Sequence, residues 1–158
     1  MTRTERRQKS LAAILDAALA EFGERGYASA AVDGVCARGG ISKGLMYHYY
    51  TGKDELFCEC VRAMFTALAA RLDEYLAGAN AGSAGELLSG FFMTRERFFA
   101  ENHNMRVVFE DAMLRTPPQL AEEISRLRAP VKECNLRLLS SLLKLVRLRE
   151  GVSEHDAM

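Results

Sequence analysis

Apolar side chains recur at intervals of three and four along almost the whole chain and nowhere alternate with polar ones, which commits it to helices. Leu11, Ile14, Leu15, Ala18, Leu19 and Phe22 form one such stripe. Ser10 is the expected cap of this first helix, and Gly23 and Gly26 its end. A short second helix follows with Val32, Val35 and Cys36 inward, stopped by Gly39-Gly40, a pair suited to a sharp turn. Ser42 then sits where an N-cap belongs and opens a very short third helix to Tyr49.

Thr51 and Asp54 have capping-box spacing and open a long helix to about Tyr75 or Leu76, striped by Leu56, Phe57, Cys60, Val61, Met64, Phe65, Leu68 and Leu72. A loop rich in Ala, Gly, Asn and Ser spans Gly78 to Gly85. Ser83 and Glu86 then signal a further helix bearing Leu87, Leu88, Phe91, Phe92, Phe98 and Phe99. The polar run from Glu101 to Asn104 breaks it, and Met105 to Leu114 resumes as a helix closed by Thr116-Pro117-Pro118. From Gln119 to Leu148 a long segment either kinks at Pro130 or starts a new helix there. Ser153 and Asp156 again have the spacing of a helix start close to the last residue. Two alternatives stand there: a sequence shorter than the natural architecture, or a frayed tail.

Composition narrows the function. Of 158 residues 49% are apolar and 27% charged, the proportions of a globular chain with a working core. Lys plus Arg number 21, as do Asp plus Glu, so a globally basic nucleic-acid binder is not indicated and only a local basic surface remains open. The one basic cluster is Arg3, Arg6, Arg7 and Lys9, interrupted by Glu5, which reads as a solvated arm unless a DNA-binding unit follows it. No run approaches the ~18 apolar residues of a membrane span, and the N-terminus lacks the apolar segment of a secretory signal. Cys36, Cys58, Cys60 and Cys134 lack paired metal-ligand spacing and read as reduced packing thiols of a cytoplasmic protein. His48, His103 and His155 are scattered, so no metal site is expected. Neither a glycine-rich phosphate loop, a nucleophile elbow nor an ordered Ser/His/Asp set is present; neither catalysis nor a cofactor is expected.

The three short elements around Gly39-Gly40 have the form of a helix-turn-helix, whose second helix enters the major groove. Gly44 permits close approach to a phosphate backbone, Ser42 and Lys43 supply donors, and Tyr47 and His48 can donate to phosphate oxygens. Lys53 adds a cation at the start of the next helix.

The run from Ala31 to Phe57, AVDGVCARGGISKGLMYHYYTGKDELF, resembles the DNA-binding region of TetR-family transcriptional regulators. The lead-in Phe22-Gly23-Glu24-Arg25-Gly26-Tyr27 is similar as well. The resemblance spans roughly residues 8–68 and implies DNA contact by Ala31, Ser42, Lys43, Gly44, Leu45, Tyr47, His48 and Lys53. Three positions depart from the family pattern. Leu45 replaces a small or hydroxyl residue, so a base contact there would be apolar; Ala31 replaces a capping Thr; and Gly34 replaces an acidic residue. On propensity alone Gly34 weakens the second helix by ~1 kcal/mol relative to Ala.

The resemblance further implies an all-α architecture: an N-terminal three-helix DNA-binding domain at 8–68, its helix-turn-helix at 31–50, and a long helix leading to a helical regulatory domain at 69–158. The natural regulatory domain is expected to carry one or two further helices that build a four-helix dimer interface. The expected function is a repressor held as a homodimer on a double-stranded, pseudo-palindromic operator and released by a small-molecule effector. Phe65, Phe91, Phe92, Arg95, Met105, Phe109 and Met113 are the candidate effector pocket, although an aromatic and Met-rich set at helical spacing is first of all core. The competing expectation is a small-molecule or protein-binding helical bundle with a vestigial helix-turn-helix.

Overall fold

In the computed structural model, which describes residues 1–146, every regular element is helical: α1 (Arg3–Ser29), α2 (Val32–Gly39), α3 (Lys43–Tyr49), α4 (Lys53–Gly78), α5 (Ala84–Glu101), α6 (His103–Met113), a short 3-10 helix (Pro118–Leu120), α7 (Ala121–Leu127) and α8 (Ala129–Leu145). The expected all-α class is thus observed. The helix start expected at Ser153–Asp156 lies outside the described residues.

Several element boundaries differ from the sequence reading, each for a local reason. α1 begins seven residues before Ser10, because Thr2 and Glu5 form a reciprocal capping box: Thr2 N–H donates to Glu5 Oε2 at 2.6 Å and Glu5 N–H to Thr2 Oγ1 at 3.2 Å. The basic arm is therefore the first turns of a helix. Gly23 does not end α1; the break comes at Gly26, whose φ of 71° only glycine adopts at low cost. Thr51 is not boxed with Asp54. Its N–H and hydroxyl both donate to Glu55 Oε2, at 2.6 and 2.8 Å, which leaves Asp54 to accept a hydrogen bond from the Tyr27 hydroxyl at 2.6 Å. At Pro130 the second alternative holds: the proline sits in the first turn of α8, where its missing N–H costs nothing, and α7 has already ended at Leu127.

The described residues divide into two compact units. The first joins Met1–Met64 to Asn102–Leu127, so α1, α2, α3, the start of α4, α6 and α7 share one core. Ile14, Ala18, Phe22, Val35, Met46, Phe57 and Val108 are almost fully buried in it. Phe57 sets its ring against Phe22 at 5.2 Å and Tyr27 at 4.8 Å, and α1 packs along α6 and α2. The close approach of α6 to α1 depends on Gly23, where a Cβ would stand 2.2 Å from the Asn104 side-chain oxygen.

The second unit contains Phe65–Glu101 and residues 128–146. Phe65, Leu68, Leu72, Leu87, Phe91, Phe98, Phe99, Cys134 and Leu138 are buried, and α5 packs on α8. Tyr75 donates its hydroxyl proton to the Leu87 carbonyl at 3.1 Å and fills the space left by Gly90. Cys134 is buried beside Asp73, and burial followed by that carboxylate pushes its thiol up to about 11, the condition of a packing thiol and not a reactive one.

Candidate nucleic-acid interface

The turn between α2 and α3 is closed by Gly40 in the left-handed region, φ 59° and ψ 33°, with its N–H and that of Ile41 both returning to the Cys36 carbonyl. Gly39 contributes space: a Cβ there would stand 2.4 Å from the Ile41 side chain. Ser42 caps α3 by accepting the Leu45 N–H at 3.2 Å. Met46 is the inward anchor of this seven-residue helix, 1% exposed, while Ile41 and Tyr49 are half-buried beside it.

That register turns the remaining side chains outward. Lys43, Gly44, Leu45, Tyr47 and His48 are all exposed, Tyr47 to 56%. A Cβ at Gly44 would meet nothing within 4 Å, so the helix presents bare backbone there. Lys43 pairs with Asp33 across the turn, Nζ lying 2.9 and 3.0 Å from the two carboxylate oxygens; that hydrogen bond, then the charge of Asp33, raises its pKa and keeps it a cation. His48 sets its ring edge-on to Tyr49 at 4.8 Å.

The other two candidates occupy different settings. Ala31 is the exposed N-cap of α2 and makes no side-chain cap bond; its N–H donates to Glu21 Oε1 at 3.3 Å. Lys53 is half-buried, with its ammonium donating to the Ala28 carbonyl at 3.2 Å and standing 4.6 Å over the Tyr27 ring.

Glu21 is the electrostatic pin of the motif, a role that helical spacing gave no hint of. It is 1% exposed and gathers the Ala31 N–H, Arg38 at 2.6 Å and Arg25 at 3.3 Å. Burial raises its pKa, but the hydrogen bonds from Arg38 and Ala31 and the charges of Arg25 and Arg38 outweigh that and hold it below the ordinary 4.5. Gly34 belongs to this pin. A Cβ at position 34 would stand 2.2 Å from Glu21 Oε1, so the glycine that propensity marks as a weakness is what lets α2 close over the carboxylate.

Beside α3 a cleft of about 810 Å3 is lined by Arg3, Arg6, Arg7 and Ser10 of α1 together with His48 and Tyr49. Its sequence signal is the basic cluster Arg3, Arg6, Arg7 and Lys9, which carries meaning beyond a solvated arm only because a helix-turn-helix follows it.

The candidate effector residues distribute by unit: Phe65, Phe91, Phe92 and Arg95 in the second, Met105, Phe109 and Met113 in the first. Phe65 and Phe91 are buried, whereas Phe92 is 45% exposed under the Arg95 guanidinium at 5.1 Å. Among the described residues no group of three or more His, Cys, Asp or Glu is placed to hold a metal, and no helix is long and apolar enough to cross a membrane.

The sequence profile of bacterial regulatory proteins of the tetR family matches residues 14–60, the segment that holds α2, α3 and the Glu21 pin. Residues 14–60 thus carry a segment of the TetR family. It is 28% identical over 106 residues to the HTH-type transcriptional repressor KstR2 of Mycobacterium tuberculosis, a match covering 67% of this chain and 52% of that protein. It therefore spans about half the length of that relative. The crystal structure of the TetR-family transcriptional regulator PfmR of Thermus thermophilus superposes with a TM-score of 0.66 at 25% identity, covering 98% of this chain and 77% of the other. At 18% identity, the regulator FadR of Bacillus subtilis, in complex with stearoyl-CoA, shares the fold with a TM-score of 0.71 over 92% of this chain and 77% of its own.

Proposed function

We propose that this chain is a sequence-specific DNA-binding transcriptional repressor of the TetR family, with α3 as the helix that enters the major groove. The exposure of Lys43, Gly44, Leu45 and Tyr47 on one short helix, anchored by Met46, carries the reading. Bare backbone at Gly44 lets the helix approach a strand closely; Lys43 and Tyr47 are phosphate donors, joined by Ser42, His48 and Lys53, and Leu45 supports apolar contact with a thymine methyl. Ala31, exposed at the N-cap of α2, is a further candidate contact. The kinship with KstR2, itself named a repressor, supports repression over activation.

In this proposal residues 8–68 form the DNA-binding domain and 69–158 the regulatory one, a division of labour that differs from the division of packing. Two copies present their α3 helices about 34–36 Å apart to successive major grooves of a pseudo-palindromic site in the cytoplasm. A small-molecule effector, proposed to contact the apolar and Arg-bearing face of Phe91, Phe92 and Arg95 with Phe65 as a further candidate in the same unit, favours the released state. A preference of ~1–3 kcal/mol weakens operator binding roughly 5–150-fold, enough to switch a promoter. FadR, which shares the fold, holds an acyl-CoA, which supports an apolar effector.

The test is binding to the DNA upstream of the chain's own gene. Lys43→Ala with Tyr47→Ala is expected to abolish retardation of that fragment while leaving the helical circular dichroism intact. Equal affinity in the folded double variant overturns the assignment of α3 and favours a helical bundle with a vestigial helix-turn-helix.

A further inference from the structure

We infer that the cleft beside α3 is a second seat for duplex DNA, a clamp on the phosphodiester backbone built from Arg3, Arg6 and Arg7 of α1 with His48 of α3. The inference rests on the proposed DNA-binding role and adds to it a sequence-independent anchor outside the helix-turn-helix.

Residues 3, 6, 7 and 10 stand at i, i+3, i+4 and i+7, so the capping box at Thr2 places all four on one helical face, the face that lines the cleft. The acidic residue that interrupts the cluster is removed from this face by the same cap. Glu5 turns back to accept the Thr2 N–H at 2.6 Å and does not line the cleft. Charge accounting separates these arginines from others of their unit. Arg25, Arg38, Arg62 and Arg115 each have a carboxylate within ion-pair distance, whereas among the described residues Arg3, Arg6 and Arg7 have none. The Arg6 guanidinium donates to the Met1 carbonyl at 3.4 Å.

Arg3 stands three and four residues from Arg6 and Arg7, so the like charges repel, and a polyanion in the cleft turns that repulsion into attraction. Guanidinium forks match phosphate oxygens two at a time, and the hydroxyls of Thr4 and Ser10 add neutral donors at the same wall. His48 ties the cleft to α3: it is exposed on the helix proposed to enter the groove and lines the cleft together with the arginines. The occupant is therefore the backbone of the same duplex, bound without regard to sequence.

Salt dependence measures such phosphate pairing directly. With the full chain and a labelled mixed-sequence duplex of about 30 base pairs, the slope of log affinity against log salt falls by roughly 0.9 for each phosphate the protein no longer neutralises. Arg3→Gln with Arg6→Gln and Arg7→Gln is expected to lower that slope by about 2 to 3 and to weaken binding at least about tenfold, while the three Lys replacements keep most of the slope. An unchanged slope in a folded triple Gln variant, with wild-type binding intact, overturns the clamp and leaves the α3 assignment standing. Failure of the wild type to bind any duplex, including its own upstream DNA, sinks both. Inorganic pyrophosphate is the competing occupant of like chemistry. Tight pyrophosphate binding that the Gln variant loses, with the duplex slope unmoved, replaces the duplex by a small polyphosphate.

Discussion

Asp111 of α6 accepts the backbone N–H of Tyr27 at 2.7 Å, across 84 residues of sequence, and so holds the corner that Gly26 makes at the end of α1. The same carboxylate pairs with Arg115 at 2.8 Å. Tyr27 continues the network: its hydroxyl donates to Asp54 at the start of α4 and accepts from Gln119 at 2.8 Å, and burial, then the bond to Asp54, pushes it up to about 12. One corner thus ties α1, α4 and α6 together within the first unit.

Replacing Asp111 by Ala leaves a part-buried N–H without its acceptor and Arg115 without its nearest carboxylate. The expected loss is about 1–3 kcal/mol in urea unfolding, with Asn losing less because its amide oxygen still accepts. Equal stability of Asp111→Ala and wild type removes the corner from the account.

Gly34→Ala tests packing against propensity. Helix propensity alone predicts a gain of ~1 kcal/mol, whereas the clash with the Glu21 carboxylate predicts a loss of about 1–3 kcal/mol. The double variant Glu21→Ala, Gly34→Ala is expected to fall short of the summed losses, since the first change vacates the space the second needs. A stabilised single variant contradicts the pin.

The pH dependence follows from the same carboxylate. Because Glu21 titrates below 4.5 in the folded state, its contribution is complete above that value and is lost as pH falls through the lower, folded pKa. Thermal unfolding from about pH 5 to about pH 3 is expected to show a drop in Tm that Glu21→Gln, less stable at neutrality, flattens.

Gly44→Ala separates fold from function. With nothing within 4 Å of the added methyl, the variant is expected to be as stable as wild type or up to ~1 kcal/mol more so, and to lose duplex affinity because the methyl holds the backbone off the phosphates. Undiminished affinity places the strand elsewhere.

Asp33→Asn frees Lys43 from its exposed partner and removes an anion facing the proposed strand. Fluorescence anisotropy is expected to show roughly two- to fivefold tighter duplex binding at low salt, the gain shrinking as salt rises. Weaker binding assigns Asp33 to holding Lys43 in place.

The local interactions were readable from the chain itself: the period of the apolar residues gave the helices, Gly39-Gly40 the turn, Ser42 the cap and the outward face of α3 its register, because each depends on neighbours a few residues away. What needed the tertiary structure was every feature whose partners are far apart in sequence. The Glu21 pin over Gly34, the grip of Asp111 on Tyr27 and the bond from the Tyr27 hydroxyl to Asp54 depend on which carboxylate meets which donor once helices dock. The same holds for the arginine cleft. Spacing could list its side chains, but only the docking of α1 beside α3 brought positions 3 to 10 next to position 48, since side-chain charge carries no record of the surface it will face.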